Sequence, residues 1–242
     1  MYWRQWSEKL VRGLGLGRQP IAVSFTGGPT PGVAQQGKLS VCQAIVRAAG
    51  GESFTISAET CGCPGGLVSL GLGQMPAAGR ERLVDFLVNK EKVYCSRVAI
   101  HRSQQGAPAP VGMASHVSFT PLSQAPVLPD LVGFLDQPTK LHYLIGLAAY
   151  WDGCSVKAEL AGPACRTGIA YPVVTGEIGL SLLDFGARRM AGFSDSDLLV
   201  TVPFHRMIGI IQALDQGIGW HQKEDIEEIE KQIDDLGKIE RS

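Results

Sequence analysis

The residues best equipped for chemistry lie in one short run, Cys61-Gly62-Cys63-Pro64-Gly65-Gly66. Two thiols one residue apart, on a glycine-rich turn, form a corner suited to a metal. Cys42 lies upstream and Cys165 far downstream. A structural zinc site asks for four closed tetrahedral ligands, usually in paired short spacings. Here one short pair exists and it is one residue too tight. Iron–sulfur clusters take thiolates that need not be contiguous, so a four-iron four-sulfur site with ligands from both halves of the chain is the favoured expectation. Zinc stands below it. No Cys-x-x-Cys opens a helix, which argues against a thiol redox enzyme.

The glycines fit the same chemistry. Small residues let the backbone approach an inorganic core, and free N–H groups in such turns offset negative charge on sulfur. Gly62, Gly65 and Gly66 are expected in that cofactor-binding role, with Pro64 stiffening the turn. Arg166 abuts Cys165 and is expected to hold an anionic group by its guanidinium. Arg188, Arg189, His205 and Arg206 admit the same reading, although arginines lying over apolar neighbours account for them more simply. Cys61 and Cys63 need not both be ligands. Cys95, within the strand-like run 93–100, reads as a buried packing thiol, and Cys154 fits either role.

Composition narrows the class of protein. With 242 residues, 45% of them hydrophobic, the chain is long enough for a sizeable core. A formal net charge of −1 offers no polyanion-binding surface, so no nucleic-acid partner is expected. The N-terminal residues carry charge where a signal peptide needs an apolar run, and no apolar stretch is long enough to span a bilayer. A soluble, cytoplasmic protein is expected. Six cysteines are too sparse for a disulfide scaffold of this length.

The elements that must position these residues are legible as alternating segments. A helix is expected over 2–14 and a strand over 21–25. A second helix runs over 40–49, with Ser40 as its cap and Gly50-Gly51 as its end. A strand over 54–59 leads into the cysteine turn, and a helix follows over 80–89. The second half gives a strand over 130–135, a helix over 139–150, a strand over 155–160 and the loop Gly162-Pro163-Ala164-Cys165. Residues 199–204 echo 117–122. The fold class is α+β, mixed sheets with outer helices, and the shared order is consistent with an internal duplication into pseudo-twofold halves. The expected domains are 1–125, 126–222 and a charged C-terminal helix over 223–242. That helix carries Ile226, Ile229, Ile233 and Leu236 at helical spacing, for docking on its own domain or pairing with another copy in a homo-oligomer. Under the duplication, the loops of Cys61/Cys63 and Cys165 become equivalent and His142 falls opposite Cys42.

Several local matches, in order along the chain, resemble a known family. They are Gln19-Pro20-Ile21-Ala22-Val23-Ser24-Phe25, Cys42 before Ala48-Ala49-Gly50, Cys63-Pro64-Gly65-Gly66 with Leu70-Gly71-Leu72-Gly73 behind it, Phe119-Thr120-Pro121-Leu122, Pro129-Asp130-Leu131-Val132, Gly162-Pro163-Ala164-Cys165 and Gly186-Ala187-Arg188. Over roughly 14–216 the chain resembles the domain of unknown function 169 family of bacteria and archaea. The resemblance implies an iron–sulfur protein with Cys42, Cys63 and Cys165 as ligands. Many relatives carry a further cysteine just before the Gly-x-Arg segment, where this chain has Asp184. The fourth ligand is therefore open among Cys61, Asp184 and an exogenous molecule. An open iron would suit a redox or Lewis-acid enzyme acting on a small molecule. Four thiolates would suit an electron carrier with a redox partner protein, or a sensor.

Overall fold

The computed structural model describes residues 2–35, 37–103, 109–151, 153, 155–160 and 162–216. The expected C-terminal helix and Cys154 lie outside the described residues. A six-stranded sheet forms the centre. Its strands are β1 (Ile21–Thr26), β2 (Phe54–Ser57), β3 (His116–Pro121), β4 (Leu131–Asp136), β5 (Gly179–Ser181) and β6 (Leu198–Pro203), in the order β2-β3-β1-β4-β6-β5. The helices are α1 (Trp3–Gly13), α2 (Val41–Ala49), α3 (Pro64–Ser69), α4 (Ala77–Asp85), α5 (Arg97–Ser103), α6 (Pro138–Ala149), α7 (Tyr171–Thr175), α8 (Phe185–Ala191) and α9 (Phe204–Asp215).

The fold is α+β, but the sheet is antiparallel rather than mixed. The reason lies in strand insertion. β1 and β2 run the same way, as helix-connected strands do, yet β3 enters between them; β6 separates β4 from β5 likewise. Among the described residues, parallel contact survives as two isolated bridges, Gln35 with Thr55 and Leu39 with Cys61.

Strand alternation divides the apolar side chains between two cores. Ile21, Val23, Val117, Phe119, Leu131, Leu135 and Leu199 face one side and meet α2. Ala22, Val132, Phe134, Val200 and Val202 face the other and meet α1, α6 and α9. Phe54, Phe119 and Phe134 are almost wholly buried, and each such side chain contributes about 1.5–3 kcal/mol.

The strand pairs β1–β3 and β4–β6 share two features. Pro121 pairs with Ile21 and Pro203 with Leu131. The N–H of Leu122 donates to the carbonyl of Pro20, and that of Phe204 to the carbonyl of Asp130. The helices do not match. α2 lies on one face of the sheet and α6 on the other, so His142 lies on a helix across the sheet from α2. It is exposed there, bonded to the Thr139 carbonyl at 2.8 Å.

Two local expectations are corrected. Residues 155–160 form no strand; β5 is the short strand that completes this edge. The run 93–100 is also not a strand. Lys92 takes a left-handed turn at φ 53°, and Ser96 then caps α5 by accepting from the Ala99 N–H at 3.2 Å. Cys95 is consequently exposed rather than buried.

Candidate metal centre

The site begins with how α2 starts. Ser40 accepts from the Gln43 N–H at 3.2 Å, and the Gln43 side chain accepts from the Ser40 N–H at 3.0 Å. This reciprocal cap fixes the first turn and places Cys42 on it. The strand end Ser57 accepts from the Cys61 N–H at 2.9 Å, and the Leu39 carbonyl accepts from the Gly62 N–H at 2.8 Å. The cysteine turn is thereby laid against the residues that lead into α2. A Cβ on Gly62 would meet Leu39 and Ser40 backbone atoms at 2.9–3.0 Å, so only glycine permits that approach.

Cys63 is the N-cap of α3. Its sulfur accepts from the Gly66 N–H at 3.2 Å, and the Val41 backbone at the start of α2 also favours its anion. A Cβ on Gly66 would lie 2.5 Å from the Val41 side chain, 2.9 Å from the Cys63 sulfur and 3.4 Å from that of Cys61. Gly66 is thus the small residue the thiols need. A Cβ on Gly65 would meet nothing within 4 Å.

Cys165 precedes a π-helical turn, Arg166–Ala170, that runs into α7. It is buried, and its thiol donates to the Ser69 hydroxyl at 3.5 Å, joining this loop to the end of α3. Asp184 is the N-cap of α8. One carboxylate oxygen accepts from the Ala187 N–H at 3.0 Å and the other from the Ala164 N–H, next to Cys165, at 3.1 Å. Leu183 before it is held at φ 59°, a conformation costing a non-glycine residue about 1–3 kcal/mol. α8 packs on α2.

Four cysteines and Asp184 therefore come within electrostatic reach of one another. Burial pushes the Cys42 thiol up, and negative charge on Cys165, Asp184 and Cys63 adds to it. Cys165 is pushed up to about 12, mainly by burial. Cys61 is raised first by its hydrogen bond to Cys63 and then by burial. Cys63 is lowered to about 6: the Cys61 thiol, the Gly66 N–H and the Val41 backbone stabilise its anion against burial. Without a cation, the site holds one thiolate readily and resists more.

The donor set therefore suits a positively charged group, and its placement at helix starts suits anionic sulfur. Among the described residues, no three of His, Cys, Asp and Glu are drawn together tightly enough to hold a single ion. All described cysteines are free thiols.

The other predicted residues divide. Arg166 is buried and paired with Glu159 at 2.6 Å, directly behind Cys165. Arg188 donates to the carbonyls of Leu182, Leu183, Ser194 and Asp197, so it ties loops together rather than binding an anion. Arg189 lies over the Phe185 ring at 5.6 Å. His205 and Arg206 stand at the start of α9, and Arg206 pairs with Glu177 at 3.1 Å. Sequence reasoning missed Ser69, the Val41 backbone and the Ala164 N–H. The proline directly after Cys63, a residue suited to the first position of a helix, is the signal that could have pointed to the helix start. A cleft of about 440 Å³ between α4 and α5, lined by Val84, Val88 and Val98, includes none of the four clustered cysteines.

Fold and site define an antiparallel α+β protein whose thiols gather where helices begin. The chain belongs to the DUF169 family, described as uncharacterised ArCR, COG2043, whose model matches residues 9–213. No curated protein and no solved structure matches it. No described helix is long and apolar enough to cross a membrane.

Proposed function

We propose that this protein carries an iron–sulfur cluster, of the four-iron four-sulfur type, and is a redox or Lewis-acid enzyme acting on a small molecule. The observation that carries the reading is the convergence of Cys42, Cys61, Cys63 and Cys165, with Asp184, from both halves of the chain. Ligands of a cluster surround a core rather than a point, which suits thiols that are neighbours but do not close on one ion. Zinc is disfavoured on the same ground.

When bound, such a cluster supplies one-electron transfer or, at an iron with an open position, Lewis acidity. The chain's own residues hold and tune the ligands. The Gly66 N–H and the Val41 backbone stabilise negative charge on Cys63, and the Ser69 hydroxyl meets the sulfur of Cys165. Arg166, fixed by Glu159, sets a buried cation beside that ligand in the chain. Glycines 62 and 66 allow the close approach.

The presence of a fourth thiol favours a second reading, an electron carrier or sensor with all four positions filled by cysteine. Anaerobic purification tests both. A brown protein with iron and acid-labile sulfide is expected; a colourless protein with stoichiometric zinc overturns both. Reduction in the presence of candidate small molecules, followed by EPR, separates enzyme from carrier.

We also propose that the two halves descend from one duplicated unit. The matched proline registers and the matched Leu122 and Phe204 hydrogen bonds support it, and the opposite placement of α2 and α6 records later divergence. Aligning the halves across family members tests this; similarity no greater than between shuffled halves overturns it.

A further inference from the structure

Residues 77–103 stand apart from the two cores. The chain enters and leaves this unit through one neck, where the N–H groups of Ala109 and Gly112 donate to the carbonyls of Ser69 and Gly71, each at 2.9 Å. α4 continues as a π-helical turn, Phe86–Lys90, before α5 follows. The buried residues of the unit are Val84 and Ile100, and neither belongs to a core of the sheet. Phe86, Val93 and Val98 are 45%, 53% and 59% exposed. Val98 lines the cleft between α4 and α5 together with Val84 and Val88. An open apolar cleft on a unit that buries so little is a seat for a further element.

Charge indicates what that element is. Residues 77–103 hold six basic and three acidic side chains, a net charge of +3. Arg80, Arg82, Lys90, Lys92 and Arg102 are exposed, and none makes an ion pair among the described residues. Residues 223–242 hold eight acidic and four basic side chains, a net charge of −4, around Ile226, Ile229, Ile233 and Leu236. Apolar anchors at helical spacing are what an amphipathic helix lays into a groove, and the acidic background complements the basic rim.

The place where α9 ends bears on which copy supplies the segment. Asp215 pairs with Lys9 of α1 at 2.5 Å, and Gly17, just past α1, donates its N–H to Asp136 at 2.6 Å. α9 therefore ends toward the Ile21 end of β1. The neck leads instead into β3 at His116, which pairs with Thr26 at the other end of β1. The six residues of β1 put about 20 Å between those ends. A segment that departs from one end and a cleft at the other suit exchange between two copies, each lending its segment to the other about a twofold axis. We propose that this protein forms a dimer in which residues 223–242 of each copy, as an amphipathic helix, occupy the α4–α5 cleft of the other. The proposal is independent of the iron–sulfur reading.

Sedimentation equilibrium of the full chain is the test. The wild type is expected at twice the 25.9 kDa chain mass, in an association that weakens as salt is raised. Three changes are each expected to raise the dimer Kd roughly tenfold or more: a chain ending at Gln216, the double substitution Ile229→Asp/Ile233→Asp in the segment, and Val98→Asp in the cleft. Val98 is exposed, so its substitution leaves the fold in place, which circular dichroism checks. A wild type that stays monomeric throughout the micromolar range, as when the segment folds back on its own cleft, overturns the proposal. So does a dimer whose Kd is unchanged in the chain ending at Gln216, or one that Val98→Asp leaves intact.

Discussion

Cys63 shows how far a single residue's surroundings set its chemistry. Its thiol is lowered from an ordinary value of 9.0 to about 6 by the Cys61 hydrogen bond and by the backbone of Gly66 and Val41. Folding therefore favours its charged form. That stabilisation is present above the unfolded value and is lost as pH falls through about 6. In metal-free protein, iodoacetamide should label Cys63 first, with half-maximal rate near pH 6, and Cys63→Ser should abolish that phase. Labelling of Cys165 below pH 8 would contradict the burial that pushes it up to about 12. At the neighbouring position, Asp184 is tied to both the Ala164 and Ala187 N–H groups. Asp184→Ala should lower stability by about 0.5–2 kcal/mol in thermal or denaturant unfolding, and Asp184→Asn by less.

At the scale of elements, what matters is how closely helix starts approach. Gly66→Ala would drive a methyl into the Val41 side chain and the Cys63 sulfur. A loss of about 1–3 kcal/mol is expected, with loss of iron from the anaerobically purified protein; retention of both would show that the turn can yield. Arg188→Ala should cost at least about 2 kcal/mol in denaturant unfolding, because it leaves four carbonyls without their shared donor. The start of α2 was legible in the sequence because Ser40 offers a local cap, and Cys63 stood out as the stronger thiol through its Pro-Gly-Gly tail. The run 93–100 was misread because β-branched residues suggested a strand where Lys92 and Ser96 impose a turn and a cap. The face occupied by α6 was not legible, since its apolar spacing is satisfied against either side of a sheet. Nor was the role of Ser69, which depends on a contact between residues far apart in sequence.

For the whole molecule, one sheet serves two cores. Phe119→Ala and Phe134→Ala open cavities on opposite faces, and each is expected to cost about 3–5 kcal/mol. Because β1 and β4 belong to both cores, calorimetry should show one transition shifting down for either variant. Two separate transitions would mean that the faces unfold independently.

The register between β1 and β4 is short: Ile21 with Gly133, Ala22 with Val132 and Val23 with Leu131. Every strand that carries Cys165 toward the other thiols is assembled beyond that joint. On a ribosome adding about 5–20 residues per second, Cys42, Cys61 and Cys63 emerge about 5–20 s before Cys165. For that interval the nascent chain displays three reactive sulfurs with no fourth partner and no second half to shelter them. On the iron–sulfur reading proposed above, a centre built on all four sulfurs waits until synthesis has passed β6.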